Sequence, residues 1–167
     1  MLKFAYNLRS INFSKLMDVY IEGNQKNGAV NYPQESPQQQ LIYAEQDFYQ
    51  FLKDIFFVQV GAAYALWQSE EAYTAALRLE PYHDGLLLSA LETRPDARCK
   101  GNATKLINAV IENLKSSSNG ILYSHVSKSN LQSLSVHLKN GFEVFKDHAV
   151  YLDGSVAHNC YTLRLEY

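Results

Sequence analysis

The spacing of apolar positions changes several times along the chain, and each change marks an element. Residues 2–8 read as a short strand. Phe13, Leu16, Met17, Tyr20 and Ile21 then share one face of a helix over residues 14–22. Residues 23–36, rich in Asn, Gln, Gly and Pro, read as a loop. Ser36-Pro37 has the form of a helix start, a capping hydroxyl ahead of a proline at the first helical position. Leu41, Ala44, Phe48, Phe51, Leu52 and Ile55 continue that helix as an apolar stripe. Beyond Phe56 the helical period is lost. Phe56 to Trp67 is apolar and aromatic with a break at Gly61, Gln68–Glu71 is a polar turn, and Tyr73 to Tyr82 alternates. His83-Asp84-Gly85 forms a further turn whose glycine can take a positive φ. Leu86 to Thr93 is a strand stopped at Pro95, so the middle of the chain predicts two or three antiparallel strands.

The second half alternates helix and strand. Ala103, Leu106, Ile107, Val110, Ile111 and Leu114 make an amphipathic helix, and Ile121 to Val126 a strand. Leu131, Leu134 and Leu138 mark another helix, closed by Asn140-Gly141. Phe142 to Phe145 and His158 to Leu165 are strands joined through a loop with Asp153-Gly154. The order β, α, α, two or three β, α, β, α, β, β predicts a mixed α/β (α+β) fold, a sheet flanked by about four helices. No repeat or compositional break divides the 167 residues, so residues 1–167 are expected to form one domain with a sizeable core.

Charge and composition narrow the function. A net charge of −2 argues against the basic face that tracks nucleic-acid phosphates. No apolar run approaches the roughly 20 residues that span a bilayer, and the first residues lack an extended apolar signal region. The expected compartment is the cytoplasm. Cys99 and Cys160 are far apart, the five histidines are scattered, and no metal-ligand spacing occurs, so no metal is expected.

The most informative stretch is Leu86 to Ala103, a buried strand running through a short loop into the amphipathic helix. Arg98, Lys100 and Gly101 stand at the helix start, where free N–H groups and the positive dipole end favour an anion. Gly101 allows close approach of the backbone, Ala103 keeps the first turn small, and a diphosphate is the natural guest. Taken alone, the loop also fits an ordinary strand-to-helix turn with surface cations. Neither GxxxxGK[ST] nor GxGxxG is present.

Arg98-Cys99-Lys100-Gly101-Asn102-Ala103 resembles the Arg-x-x-Gly-x-Gly/Ala signature of the GNAT acyltransferases, and Leu91-x-Thr93-x-Pro95 falls where that family has a hydrophobic-x-Val-x-Pro strand end. Asn130, Ser133, His137 and Gly141-Phe142 resemble its Asn-x-x-Ala-x-x-x-Tyr-x-x-x-Gly-Phe block, with spacing preserved. The likeness covers about residues 85–147. It implies a mostly antiparallel sheet with one splayed strand pair, an N-acetyltransferase domain, and acetyl-CoA as co-substrate. It also implies direct attack by a primary amine, from a small molecule or a peptide, in a ternary complex. Leu91, Glu92 and Thr93 would serve the pantetheine arm, and the backbone of Cys99, Lys100, Gly101, Asn102, Ala103 and Thr104 the pyrophosphate, with Arg98 adding charge. Cys99 is read as used through its backbone. Asn130, with Ser133 behind it, would help fix the bend of the cofactor.

Two departures matter. The family's tyrosine acid is replaced by His137, which either donates to the departing sulfur or is a packed helix histidine. The glutamate that some members carry near the start of the strand is missing at Gly85, and Glu80, His83, Asp84 and Glu92 are nearby substitute bases. Glu80 is singled out because an apolar strand context would raise its pKa, against the alternatives of a carboxylate on the sheet's solvated face and of ordered water with proximity alone. A backbone N–H near Leu91 to Thr93 would polarise the thioester oxygen. The acceptor is expected between the first two helices, the 23–36 loop and the final hairpin, with Tyr32, Tyr43, Trp67, Tyr82 and Tyr151 as candidate walls. A homodimer through the last strands or the mid-sheet edge is compatible with the sequence. The other function class is an acyl-CoA-binding or regulatory module without turnover on the same fold.

Overall fold

A computed structural model describes all residues from Met1 to Tyr167. Seven strands form one sheet in the order β1-β2-β3-β4-β5-β9-β6. They are β1 (Leu2–Ala5), β2 (Ala63–Ser69), β3 (Ala72–Tyr82), β4 (Gly85–Thr93), β5 (Ile121–Ser127), β6 (Glu143–Lys146) and β9 (Cys160–Glu166). A separate hairpin, β7 (Ala149–Val150) and β8 (Val156–Ala157), occupies the loop around Asp153-Gly154. Every neighbouring pair is antiparallel except β4 and β5.

Four α-helices cover the sheet: α1 (Phe13–Asn31), α2 (Pro37–Phe51), α3 (Asn102–Ser117) and α4 (Leu131–Lys139). On one face α1 and the chain after α2 bury Leu16, Met17, Tyr20, Leu52 and Phe56 against Tyr64, Leu66, Tyr73 and Ala76. On the other, α3 buries Leu106, Ile107, Val110 and Ile111 against Leu77, Leu79, Leu88, Leu122 and Leu163. Each such aliphatic side chain contributes about 1.5–3 kcal/mol on full burial, so the two layers fix the sheet from both sides. The expected class and helix number match this architecture.

Ser36 caps α2 as the sequence implies, its hydroxyl accepting from the Gln39 N–H at 3.3 Å. The loop expected over residues 23–36 is corrected: α1 continues to Asn31. Its buried stripe runs from Tyr20 through Asn24 and Gly28, residues that carry no apolar signal. The turn before β4 is also corrected. His83, not Gly85, takes the positive φ, at 47°. Gly85 is required by close approach, because a Cβ there would lie 2.2 Å from the Ile121 carbonyl oxygen where β4 and β5 come together.

Parallel pairing of β4 with β5 covers only Leu86–Leu88 against Leu122–Ser124. Beyond that the two strands separate. The separation begins at a bulge in β4: Arg78 faces Ser89 whereas Ala76 faces Glu92, so β4 holds an extra residue between two registers. Ala90, within the bulge, has a φ of 50°. A left-handed alanine costs about 1–2 kcal/mol, and the Tyr20 hydroxyl of α1 holds it in place by donating to the Ala90 carbonyl at 2.7 Å.

Candidate active site

The opening between β4 and β5 leads into two adjoining cavities. The larger, about 680 Å³, is bounded by Leu91–Thr93 of β4, the loop from Arg98, the first turn of α3, and α4 from Asn130 to Val136. The smaller, about 170 Å³, lies in the fork itself, between Leu88–Leu91 and Ser124–Ser127, with Asn130, Ser133 and His137 behind it.

Helix α3 starts without a side-chain cap. Gly101 precedes it in the left-handed region at φ 75°, and Cys99 is left-handed too, at 60°. None of the backbone N–H groups from Cys99 to Thr104 has a protein acceptor. With the helix dipole behind them, they form a cradle for an anion at the mouth of the larger cavity. Leu91, Glu92, Thr93, Arg98, Cys99, Gly101, Asn102, Ala103, Thr104, Asn130 and Ser133 all line this cavity, so one space collects residues from three elements.

The cations expected to reinforce the cradle are used differently. Arg98 meets Glu22 of α1 at 2.8 Å and Glu92 of β4 at 4.0 Å, and donates to the Thr93 carbonyl at 3.3 Å. It ties α1 to the end of β4 rather than presenting a free charge. Lys100 donates to the Asp96 carbonyl at 2.9 Å and lies outside the lining. The free donors at this mouth are therefore those of the backbone. Burial raises the pKa of Glu92, and Arg98 partly opposes that.

Asn130 caps α4, its Oδ1 accepting from the Ser133 N–H at 3.0 Å, which leaves its amide N–H groups for the cavities it borders.

His137 is corrected as a direct acid. It is 1% exposed. Its Nδ1–H donates to the Ser133 carbonyl at 2.8 Å, so in the neutral ring Nε2 accepts from the Ser124 hydroxyl at 3.0 Å. Burial lowers its pKa, with the Ser133 bond opposing. A neutral ring so engaged has no N–H left for a thiolate, and its place on α4 beneath β5 is that of a packed residue.

Glu80 sits on β3, on the α1/α2 side of the sheet. Its Oε1 accepts from the Ser89 hydroxyl at 2.5 Å and lies 3.8 Å from Arg78 Nε. Tyr82 follows on the same face, against His125 and Tyr123, and Tyr151 packs on His125. Of the expected acceptor walls, Tyr82 and Tyr151 each pack on His125, which borders the fork, whereas Tyr32, just past α1, and Tyr43 of α2 meet at a tilt with ring centroids 5.0 Å apart. Trp67 is corrected: it packs into the opposite layer, with the α3 core. Sequence reasoning missed the bulge at Ala90, the Tyr20 bond to it, Ser124 and His125. Ala90 has no sequence signal, and His125 is visible only once β4 and β5 are known to part beside it.

Residues 29–142 match the family described as "Acetyltransferase (GNAT) family". No curated protein matches the chain. Solved structures of the same fold include the PaiA N-acetyltransferase of Thermoplasma acidophilum in complex with coenzyme A. It is 13% identical at a TM-score of 0.63, covering 100% of this chain and 99% of that one. The N-acetyltransferase PseH of Campylobacter jejuni in complex with acetyl coenzyme A is 16% identical at a TM-score of 0.59, covering 99% of each chain. An aminoglycoside 6'-acetyltransferase type Ii is 11% identical at 0.63, covering 99% of this chain and 96% of that one. At these identities the likeness is one of fold.

Proposed function

Because the chain belongs to the GNAT acetyltransferase family, we propose that residues 1–167 act as one N-acetyltransferase domain that moves the acetyl group of acetyl-CoA to a primary amine. The observation that carries this reading is the run of unpartnered N–H groups from Cys99 to Thr104 at the edge of a 680 Å³ cavity. Such a cradle suits the pyrophosphate of the co-substrate. Leu91–Thr93 lack a β5 partner and can bond the pantetheine amides, and Asn130 can donate to it from α4. The fork between Ser89–Leu91 and Ser124–Ser127 then receives the thioester end.

Catalysis in this reading rests on holding amine and thioester in line. A free N–H of β4, in the stretch Leu91–Thr93, polarises the carbonyl oxygen as negative charge develops there. The amine approaches from the α1/α2 face, where Glu80, Tyr82 and Tyr151 lie, and attacks directly within the ternary complex. Glu80, held by Ser89 and Arg78, orients the incoming amino group, which enters in its neutral form.

A second reading, an acyl-CoA-binding module without turnover, draws on one observation: His137, at the family's acid position, has both ring nitrogens engaged within the protein. Two measurements decide. Calorimetry with CoA and acetyl-CoA is expected to show binding; no heat of association with a folded sample defeats both readings. Thiol release from acetyl-CoA across polyamines, aminoglycosides, amino acids and peptide N-termini is expected with at least one acceptor class. Binding without release in any class favours the module.

A further inference from the structure

Resting on the acetyl-transfer reading above, we infer that His125 is the residue that takes the proton from the acceptor amine, at its Nδ1 atom.

The argument begins with proton counting. Tyr82 has one hydroxyl proton, and its oxygen lies 2.6 Å from the Val150 carbonyl, which can only accept. That bond uses the proton. The contact between Tyr82 Oη and His125 Nε2, 3.3 Å, is therefore a donation from Nε2–H to the tyrosine oxygen. A neutral imidazole holds one N–H, so the lone pair sits on Nδ1. That Nδ1 is buried and has no partner. An unmet acceptor costs about 1–3 kcal/mol, a cost relieved when entry of the amine shifts the packing that closes off Nδ1.

Position supports the role. His125 belongs to the wall of the fork, opposite Leu88–Leu91, where β4 leaves β5. Its side chain shares a sheet face with Tyr82, on the side assigned to the amine. The groups facing it are Tyr82 and His83 from β3 and its turn, and Tyr151 beside β7, with rings 5.4 Å (Tyr82) and 5.1 Å (Tyr151) from its own; across β9 it meets Thr162. No carboxylate stands among them to hold a proton on the ring. Burial lowers its pKa, and the nearby His83 lowers it further, so the ring is neutral at pH 7. His137, by contrast, has both ring nitrogens engaged by Ser124 and Ser133, and Glu80, whose Oε1 accepts from Ser89, is left the orienting role given it above.

In the step itself, the amine lone pair forms the C–N bond and the C–S bond breaks with its electrons going to sulfur. His125 Nδ1 takes the proton released from nitrogen, and solvent protonates the thiolate.

His125→Gln tests the assignment, because an amide can keep the donation to Tyr82 but cannot take the proton. With an amine that the wild type acetylates, thiol release is expected to fall about 100-fold at pH 7, while calorimetric CoA affinity is unchanged. Wild-type kcat at saturating amine is expected to decline only beneath the ordinary histidine value near 6.5, because burial and His83 lower the His125 pKa, and this acid limb is expected to vanish in the variant. Nitrogen-15 NMR of the wild type is expected to find Nδ1 unprotonated and Nε2 protonated at pH 7. Wild-type rates with an unchanged acid limb in the variant, or a protonated Nδ1, overturn the assignment while the acetyl-transfer reading stands. A wild type that binds no CoA, or acetylates no amine, removes that reading and this assignment with it.

Discussion

Gly101 is a position where one atom decides a site. At φ 75° its backbone aims the N–H groups around it outward, and a Cβ would meet nothing within 4 Å. Strain, not collision, is therefore the penalty for replacing it. Gly101→Ala is expected to cost about 1–2 kcal/mol, read as roughly a tenfold loss of CoA affinity by calorimetry, with the thermal midpoint lowered modestly. Its place at the start of the amphipathic helix was legible in the sequence, but the loop alone fitted an ordinary strand-to-helix turn as well, and only the likeness to the Arg-x-x-Gly-x-Gly/Ala signature singled the glycine out. His137 was legible only as a position. A histidine on a helix does not announce that both nitrogens will be buried and bonded. Its folded pKa lies below the value near 6.5 of the unfolded chain, so the unfolded state binds more protons in that range. The stability it contributes is complete above about pH 6.5 and is lost as pH falls below it. Denaturant titrations of the wild type are expected to show that decline, and His137→Ala to lose about 1–3 kcal/mol at pH 7 from the unmet Ser124 and Ser133 groups.

Among the elements, α1 does more than its apolar stripe suggests. It supplies Tyr20 to the β4 bulge and Glu22 to Arg98, so one helix braces both the fork and the loop ahead of α3. Tyr20→Phe removes the bond to the Ala90 carbonyl. Stability is expected to drop by about 1 kcal/mol, and kcat is expected to fall more than CoA affinity, since the bulge shapes the fork while the cradle is untouched. The far end of α1 crosses α2 so closely that a Cβ on Gly28 would lie 2.4 Å from the Gln40 carbonyl oxygen. Gly28→Ala is expected to push the helices apart and lower the unfolding midpoint despite alanine's better helix propensity. The length of α1 was hidden because Asn24 and Gly28 carry its inner face, and a periodicity reading counts only apolar side chains. Strands β2, β3 and β4 were legible from their alternation and turns. The bulge was not, because an extra residue in a strand is defined by its partner.

At the scale of the molecule, the sequence could name the walls of the site but not which face each one serves. Trp67 illustrates this: its strand was evident, yet its side depends on the register of β2 between β1 and β3, and that register puts it with the α3 core. The site spans β4, α3 and α4, so a ligand there ties together elements far apart in the chain. Saturating acetyl-CoA is accordingly expected to raise unfolding free energy by about 2.7 kcal/mol at a hundredfold excess over Kd, measured by denaturant titration with and without it. The split between β4 and β5 has one more consequence. Past Leu88 and Ser124 the sheet has two inner edges, each zipped on its outer side and bare on the side facing the other. A guest in that gap takes the place of missing rungs. Amide deuteration should therefore slow on Leu91–Thr93 when the ligand is added, leaving the closed stretch Leu86–Leu88 as protected as before, so that the molecule behaves as a sheet finished by its own substrate.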